Sequence, residues 1–199
     1  MNPTPLSNAK WLAPDIPSPS PVIVRTFTAD AGESATLTVT GLGYFEARLN
    51  GKKLGDEFFS PIATDYERRR FTKITYPCHD RFTHRIFYKT FDLSGLLADG
   101  TNCLEIQIGG GWFVQNERIA EGKMSYGDRV KCIYSLTVGN RTMNSDGSET
   151  WYPGDITFSN LFIGETVDPT LPKADPRPVI LLPSPMTVSD GSNTDSPTR

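Results

Sequence analysis

The sequence predicts an all-β fold, an antiparallel β-sandwich with jelly-roll-like connections, on three observations. Short segments alternate apolar and polar residues with a period of two, as strands with one buried face require. Gly 17 and Pro 16 make up about 17% of the 199 residues, against a usual share of roughly 12%, so turns are many. No ten-residue stretch carries the apolar period of an amphipathic helix.

The elements follow in chain order. A strand is expected at Val22 to Phe27. Ala35 to Thr40 alternates strictly, placing Leu37 and Val39 on one face and three threonines on the other, which reads as a half-buried strand. Tyr44 to Leu49 alternates again and runs into Asn50-Gly51, the pair that best tolerates the positive φ of a type I′ turn, so a hairpin is predicted at residues 44 to 55. Strands are expected at Phe71 to Tyr76 and Arg85 to Phe91, then one capped helical turn at Asp92 to Leu97 before Asp99-Gly100. Asn102 to Ile108 directs Leu104, Ile106 and Ile108 inward, and Val130 to Val138 does the same with Val130, Cys132, Tyr134, Leu136 and Val138. Cys132 therefore belongs to the core and Cys103 to the surface. Glu149 to Tyr152 is the last strand of the body, and Pro178 to Leu182 is a further apolar strand signal that pairs with the body or with something outside it.

The ends, Met1 to Ser20 and Asp168 to Arg199, are rich in Pro, Ser, Thr, Asn and Asp and read as linkers. The expected organisation is a flexible N-terminus at 1–7, one sandwich at 8–170 and a tail at 171–199. Lys+Arg 20 against Asp+Glu 23 gives a net charge of -3, with no basic face for nucleic acid. Arg68, Arg69 and Arg70 are the one dense basic run and read as a solvated strand edge. Met1 to Leu6 has no apolar signal segment and no run of 18 apolar residues occurs, so neither secretion nor membrane insertion is expected. Three cysteines, Cys78, Cys103 and Cys132, suit a reducing compartment, and a cytoplasmic location is favoured. His79 and His84, the two histidines, read as loop residues.

Gly109-Gly110-Gly111 ends a strand in a bend and lacks the Lys-Ser/Thr of a phosphate loop. The bend delivers Trp112 and Phe113 to a loop with Gln115, Asn116 and Glu117. Aromatic faces beside amides and carboxylates match the apolar C–H faces and hydroxyl edges of sugars. Carboxylates also fall on loops at Asp56, Glu57, Asp65, Glu117, Glu121, Asp128 and Asp155. A facing pair would permit glycoside hydrolysis, and several loop oxygens would permit Ca²⁺, although no EF-hand loop is present.

Several spaced motifs carry a family resemblance. Gly41-Leu42-Gly43-Tyr44-Phe45-Glu46, Leu49-Asn50-Gly51-Lys52-Lys53-Leu54-Gly55-Asp56, Ser60-Pro61 and Thr64-Asp65-Tyr66 resemble the N-terminal β-sandwich domain of bacterial α-L-rhamnosidases of glycoside hydrolase family 78. Tyr88 to Leu97, Gly109 to Phe113, Ser145 to Trp151 and Gly164 to Asp168 are similar to later landmarks of that domain. Together they span about residues 8 to 170. The resemblance implies a non-catalytic accessory module, similar to the rhamnose-binding modules of carbohydrate-binding module family 67, with the catalytic (α/α)6 barrel in another part of the protein or in a partner chain. It further implies a site for L-rhamnose or a rhamnosylated glycan, built from the Asp56-Glu57 loop, Asp65 and the Trp112 to Asn116 loop. In that site Asp56 and Asn116 hold Ca²⁺ or hydroxyls and Trp112 packs on the ring. The alternative is a scaffold domain that buttresses the barrel without a sugar site. Two departures stand out: Ile62-Ala63 replaces a common Trp, and Phe71 to Arg85 is longer than the usual form.

Overall fold

The computed structural model describes residues 4–62, 66, 85–115, 126–172, 174–183 and 187–189. Its strands are β1 (Trp11–Pro14), β2 (Pro21–Ala29), β3 (Ala35–Leu42), β4 (Tyr44–Leu49), β5 (Lys52–Lys53), β6 (Arg85–Phe87), β7 (Lys89–Asp92) and β8 (Gly100–Gly109). They continue as β9 (Lys131–Val138), β10 (Arg141–Asn144), β11 (Thr150–Pro153), β12 (Ile156–Asn160), β13 (Gly164–Val167), β14 (Arg177–Leu182) and β15 (Thr187–Ser189). The predicted strand at Phe71 to Tyr76 lies outside the described residues, as do Arg68 to Arg70, Cys78, His79 and His84. All ladders are antiparallel except the short β6–β15 pair, so the all-β antiparallel sandwich holds.

One sheet runs β5-β4-β8-β2-β11, and the other runs β7-β3-β9 with β1 and β10 sharing the far edge of β9. Strand β14 joins them. Arg177 and Pro178 pair with Trp151 and Thr150 of β11, whereas Val179 to Leu182 pair with Pro14 to Trp11 of β1. The apolar run expected at Pro178 to Leu182 thus pairs with the body, and the sandwich takes in a strand from the expected tail at 171–199. Leu6, in the segment expected to be flexible, is buried too.

The core between the sheets holds the alternate residues that the patterning predicts. Leu104, Ile106 and Ile108 of β8 face Cys132, Tyr134, Leu136 and Val138 of β9, with Trp151 and Leu12 between the layers. Glu149 is a buried carboxylate in this interior. It accepts from the Tyr134 hydroxyl at 2.5 Å and the Gly147 amide at 2.9 Å, and Arg25 stands 3.5 Å away. Burial and this carboxylate push the Tyr134 phenol far up. Cys103, on the outer face of β8, is half-buried, where a surface position was expected.

The hairpin forms as expected. Asn50 (φ 52) and Gly51 (φ 78) occupy the left-handed region. The Asn50 side chain donates to Asn102 Oδ1 at 2.8 Å and accepts from the Cys103 amide at 2.9 Å, so the turn is stitched to β8. At Asp92 to Leu97 a single turn forms, with Asp92 Oδ1 capping the Ser94 amide at 2.9 Å.

Strand β3 departs from its half-buried reading. Thr36 is exposed, but Thr38 and Thr40 on the same face are buried. Thr40 donates to the Phe87 carbonyl at 2.6 Å, and Thr38 meets Thr90 at 3.2 Å. The cause is a second apolar cluster laid over this face: Leu6, Trp11, Leu42, Ile86, Phe113 and Ile133.

Candidate functional site

The bend at Gly109 to Gly111 forms because the backbone doubles back on itself. A Cβ on Gly110 would lie 2.2 Å from the Val114 carbonyl, which only glycine permits. The bend parts its two aromatics. Trp112 is 38% exposed, stands near the Tyr44 hydroxyl and sets its ring edge against Phe162 at 5.6 Å. Phe113 turns inward instead, meeting Tyr66 at 5.2 Å in the second cluster.

Tyr44 also meets Phe59 at 5.2 Å, so an aromatic row connects the Trp112 loop to the loop bearing Asp56 and Glu57. The Glu57 carboxylate is already engaged. Lys89 approaches it at 2.6 Å and the Ser60 hydroxyl donates at 2.9 Å, which hold its carboxyl below the usual range. Asp56 lies exposed beside it. Asp65 and Asn116 lie outside the described residues, as do Glu117 and Glu121. Among the described residues no three His, Cys, Asp or Glu side chains gather as metal ligands. Ca²⁺ asks for six to eight oxygens, of which the described residues of this loop offer the exposed Asp56 and the engaged Glu57.

The larger concavity is elsewhere. The side chains that alternate outward from the β4–β8–β2–β11 sheet form a trough. Register sets Glu46 beside Gln107 and Val22, with Tyr152 next across, and Arg48 beside Glu105. A hollow of about 730 Å³ is floored by Glu46, Arg48, Glu105, Gln107, Tyr152 and Asp155. An adjoining hollow of about 400 Å³ shares Glu46, Arg48, Gln107 and Asp155 and ends on Tyr44, Phe58 and Phe59.

The floor is tied together by its own polar groups. Gln107 donates to Ser20 at 2.9 Å and Asp155 at 3.2 Å, Tyr152 donates to Glu105 at 2.7 Å, and Glu46 takes Arg48 and Lys53, the latter at 2.7 Å. Burial first, then the bond to Glu105, raise the Tyr152 phenol. Carboxylates, an amide, a guanidinium and a phenol preorganised on a rigid sheet can exchange hydrogen bonds with a polyhydroxyl ligand. Of these residues the sequence reading singled out only Asp155. Yet Glu46, Arg48, Glu105 and Gln107 are the polar positions of strands it placed correctly, so the alternation carried the signal.

The α-L-rhamnosidase N-terminal domain family matches residues 31–76 and 72–175. An α-L-rhamnosidase of Formosa agariphila is 28% identical over 145 residues, which are 68% of this chain and 14% of that protein. Native α-L-rhamnosidase from Aspergillus terreus superposes with a TM-score of 0.64 at 27% identity, over 79% of this chain and 18% of its own. The Streptomyces avermitilis α-L-rhamnosidase complexed with L-rhamnose gives 0.67 at 24% identity, over 86% and 17%, a likeness of fold. This chain spans about one seventh of the length of the Formosa relative. With most of its length matched by the family and its fold shared with two solved members, the chain belongs to the α-L-rhamnosidase N-terminal domain family.

Proposed function

We propose that this domain is a non-catalytic accessory module of an α-L-rhamnosidase that binds L-rhamnose or rhamnose-capped glycans and holds the hydrolase on its substrate. The observation that supports this reading is the open outer face of the β4–β8–β2–β11 sheet, where polar side chains floor a trough edged by exposed aromatics. Ca²⁺ is part of the proposal through Asp56 and Asn116. The test is a calorimetric titration of the chain with L-rhamnose, once with millimolar Ca²⁺ and once with EDTA. One small sugar on an open surface is expected to bind with a Kd of roughly 10 µM to 1 mM. Saturable heat in both buffers keeps the sugar and discards the metal. Heat lost with EDTA keeps both, and no heat from folded protein removes the reading.

A second reading has its own observation. Phe58 is 77% exposed and Phe59 69%, with Ile62, Phe162 and Ile163 also exposed, apolar side chains of the kind that a docking surface uses. A scaffold domain docking these residues against a catalytic barrel is the function that takes over if the titration is silent.

A further inference from the structure

Resting on the sugar-binding reading, the geometry points to the trough on the β4–β8–β2–β11 sheet as the binding site for a neutral rhamnosyl oligosaccharide, with the segment after β13 as its apolar roof. Pro169, Leu171 and Pro172, which belong to none of the four strands, line the larger hollow together with the polar floor. This roof is a built turn. The Thr170 amide and hydroxyl both donate to Asp168 Oδ1, at 3.0 and 2.6 Å, and the Asp168 amide donates to the Asp155 carbonyl at 2.8 Å. The roof is therefore fixed to the corner that contributes Asp155 to the floor.

A sugar ring has an apolar C–H face and a hydroxyl edge, and a 6-deoxy sugar adds a methyl group. The two walls match that division: Leu171 and the prolines on one side, Gln107, Glu105, Tyr152 and Arg48 on the other. Size argues for more than one ring. Pockets for ligands of drug size run from about 300 to 1,000 Å³, and here hollows of about 730 and 400 Å³ join through four shared floor residues. From β11 across β2 and β8 to β4 the floor spans three strand spacings, about 14 Å, too long for one ring alone. Charge argues for neutrality. Glu46, Glu105 and Asp155 outnumber Arg48 and Lys53 on this face, which disfavours uronate-rich glycans.

The experiment compares L-rhamnose with the disaccharide rutinose, by calorimetry and by amide chemical-shift mapping on the 199-residue chain. Variants Gln107→Ala in the floor and Leu171→Ala in the exposed roof are checked for folding by circular dichroism. The expected result is rutinose bound about tenfold more tightly than rhamnose, shifts centred on the β4, β8 and β11 amides, and a loss of about tenfold in each variant. Equal affinity for the two sugars overturns the oligosaccharide site. Undiminished binding in both variants, with shifts at Asp56, Glu57 and Trp112, overturns the trough while sugar binding stands. No binding of either sugar by folded wild-type protein overturns both. Mapping on the wild type decides the location even if a variant fails to fold.

Discussion

The two sheets of the sandwich begin from the same pattern and end with opposite outer faces. On β3 and β9 the outward residues Thr40 and Ile133 are buried, because Leu6, Trp11, Ile86 and Phe113 come from four separate segments to cover them. On β4 and β8 the outward residues are Glu46, Arg48, Glu105 and Gln107, and they line an open trough. The covering residues are apolar and the uncovered ones charged or amide-bearing, so each face has the chemistry that its surroundings require. What distinguishes the faces is where the loops fall, and on the β4–β8 side they leave a trough between the polar floor and the segment carrying Pro169, Leu171 and Pro172.

The largest effect is expected on the covered side. Trp11→Ala empties a fully enclosed indole site and should cost about 3 to 5 kcal/mol, read as a lower denaturant midpoint with an unchanged slope. On the open face, Tyr152→Phe removes one hydrogen bond to Glu105 and should cost about 0.5 to 1.5 kcal/mol. Equal losses would mean that the two faces do not differ in packing, and the contrast would fail.

At the seam between the sheets the expected effect depends on pH. Asp15 accepts from Trp151 Nε1 at 2.9 Å and Arg177 Nε at 3.1 Å, with Arg177 Nη2 on its other oxygen, and so fastens β14 where it passes between layers. The hydrogen bond from Arg177 is the main cause that holds the Asp15 carboxyl below its ordinary value of 3.8. A carboxyl depressed in the folded state stabilises fully above its unfolded pKa and loses that contribution as pH falls through the folded one. Asp15→Asn should therefore lower Tm at pH 7, and the gap to wild type should close as the pH falls below about 4. A gap that stays constant over that range would show that the clasp is not electrostatic.

How much of this was legible from sequence divides along the same line. Asn50-Gly51 named its own turn, because its signal is local. Leu104, Ile106 and Ile108 were assignable to the core for the same reason: a two-residue period needs no partner to be seen. The burial of Thr38 and Thr40 was not legible, since their cover arrives from residues as distant as Leu6 and Phe113. The trough was half legible. Its polar residues stood at outward positions of predicted strands, but only the register of β4, β8, β2 and β11 aligns Glu46, Gln107, Val22 and Tyr152 in one row. The Trp112 loop drew attention through residue type, and type alone did not show that Phe113 would turn inward.

Trp112 sets the smallest and most discriminating expectation. Its ring makes one edge contact with Phe162 and stands near the Tyr44 hydroxyl, and more than a third of it faces solvent. Trp112→Ala should thus cost only about 1 kcal/mol of stability, small enough to leave the fold intact for a binding comparison. The residue lies off the trough but touches Tyr44, which lines its end. If the open face is the site, Trp112→Ala should weaken L-rhamnose binding by about threefold at most, the effect of a displaced end wall, and less than Gln107→Ala does. A larger loss for Trp112→Ala than for Gln107→Ala would move the site to the loops around Asp56 and Trp112. The open sheet face would then be a docking surface instead of the sugar site.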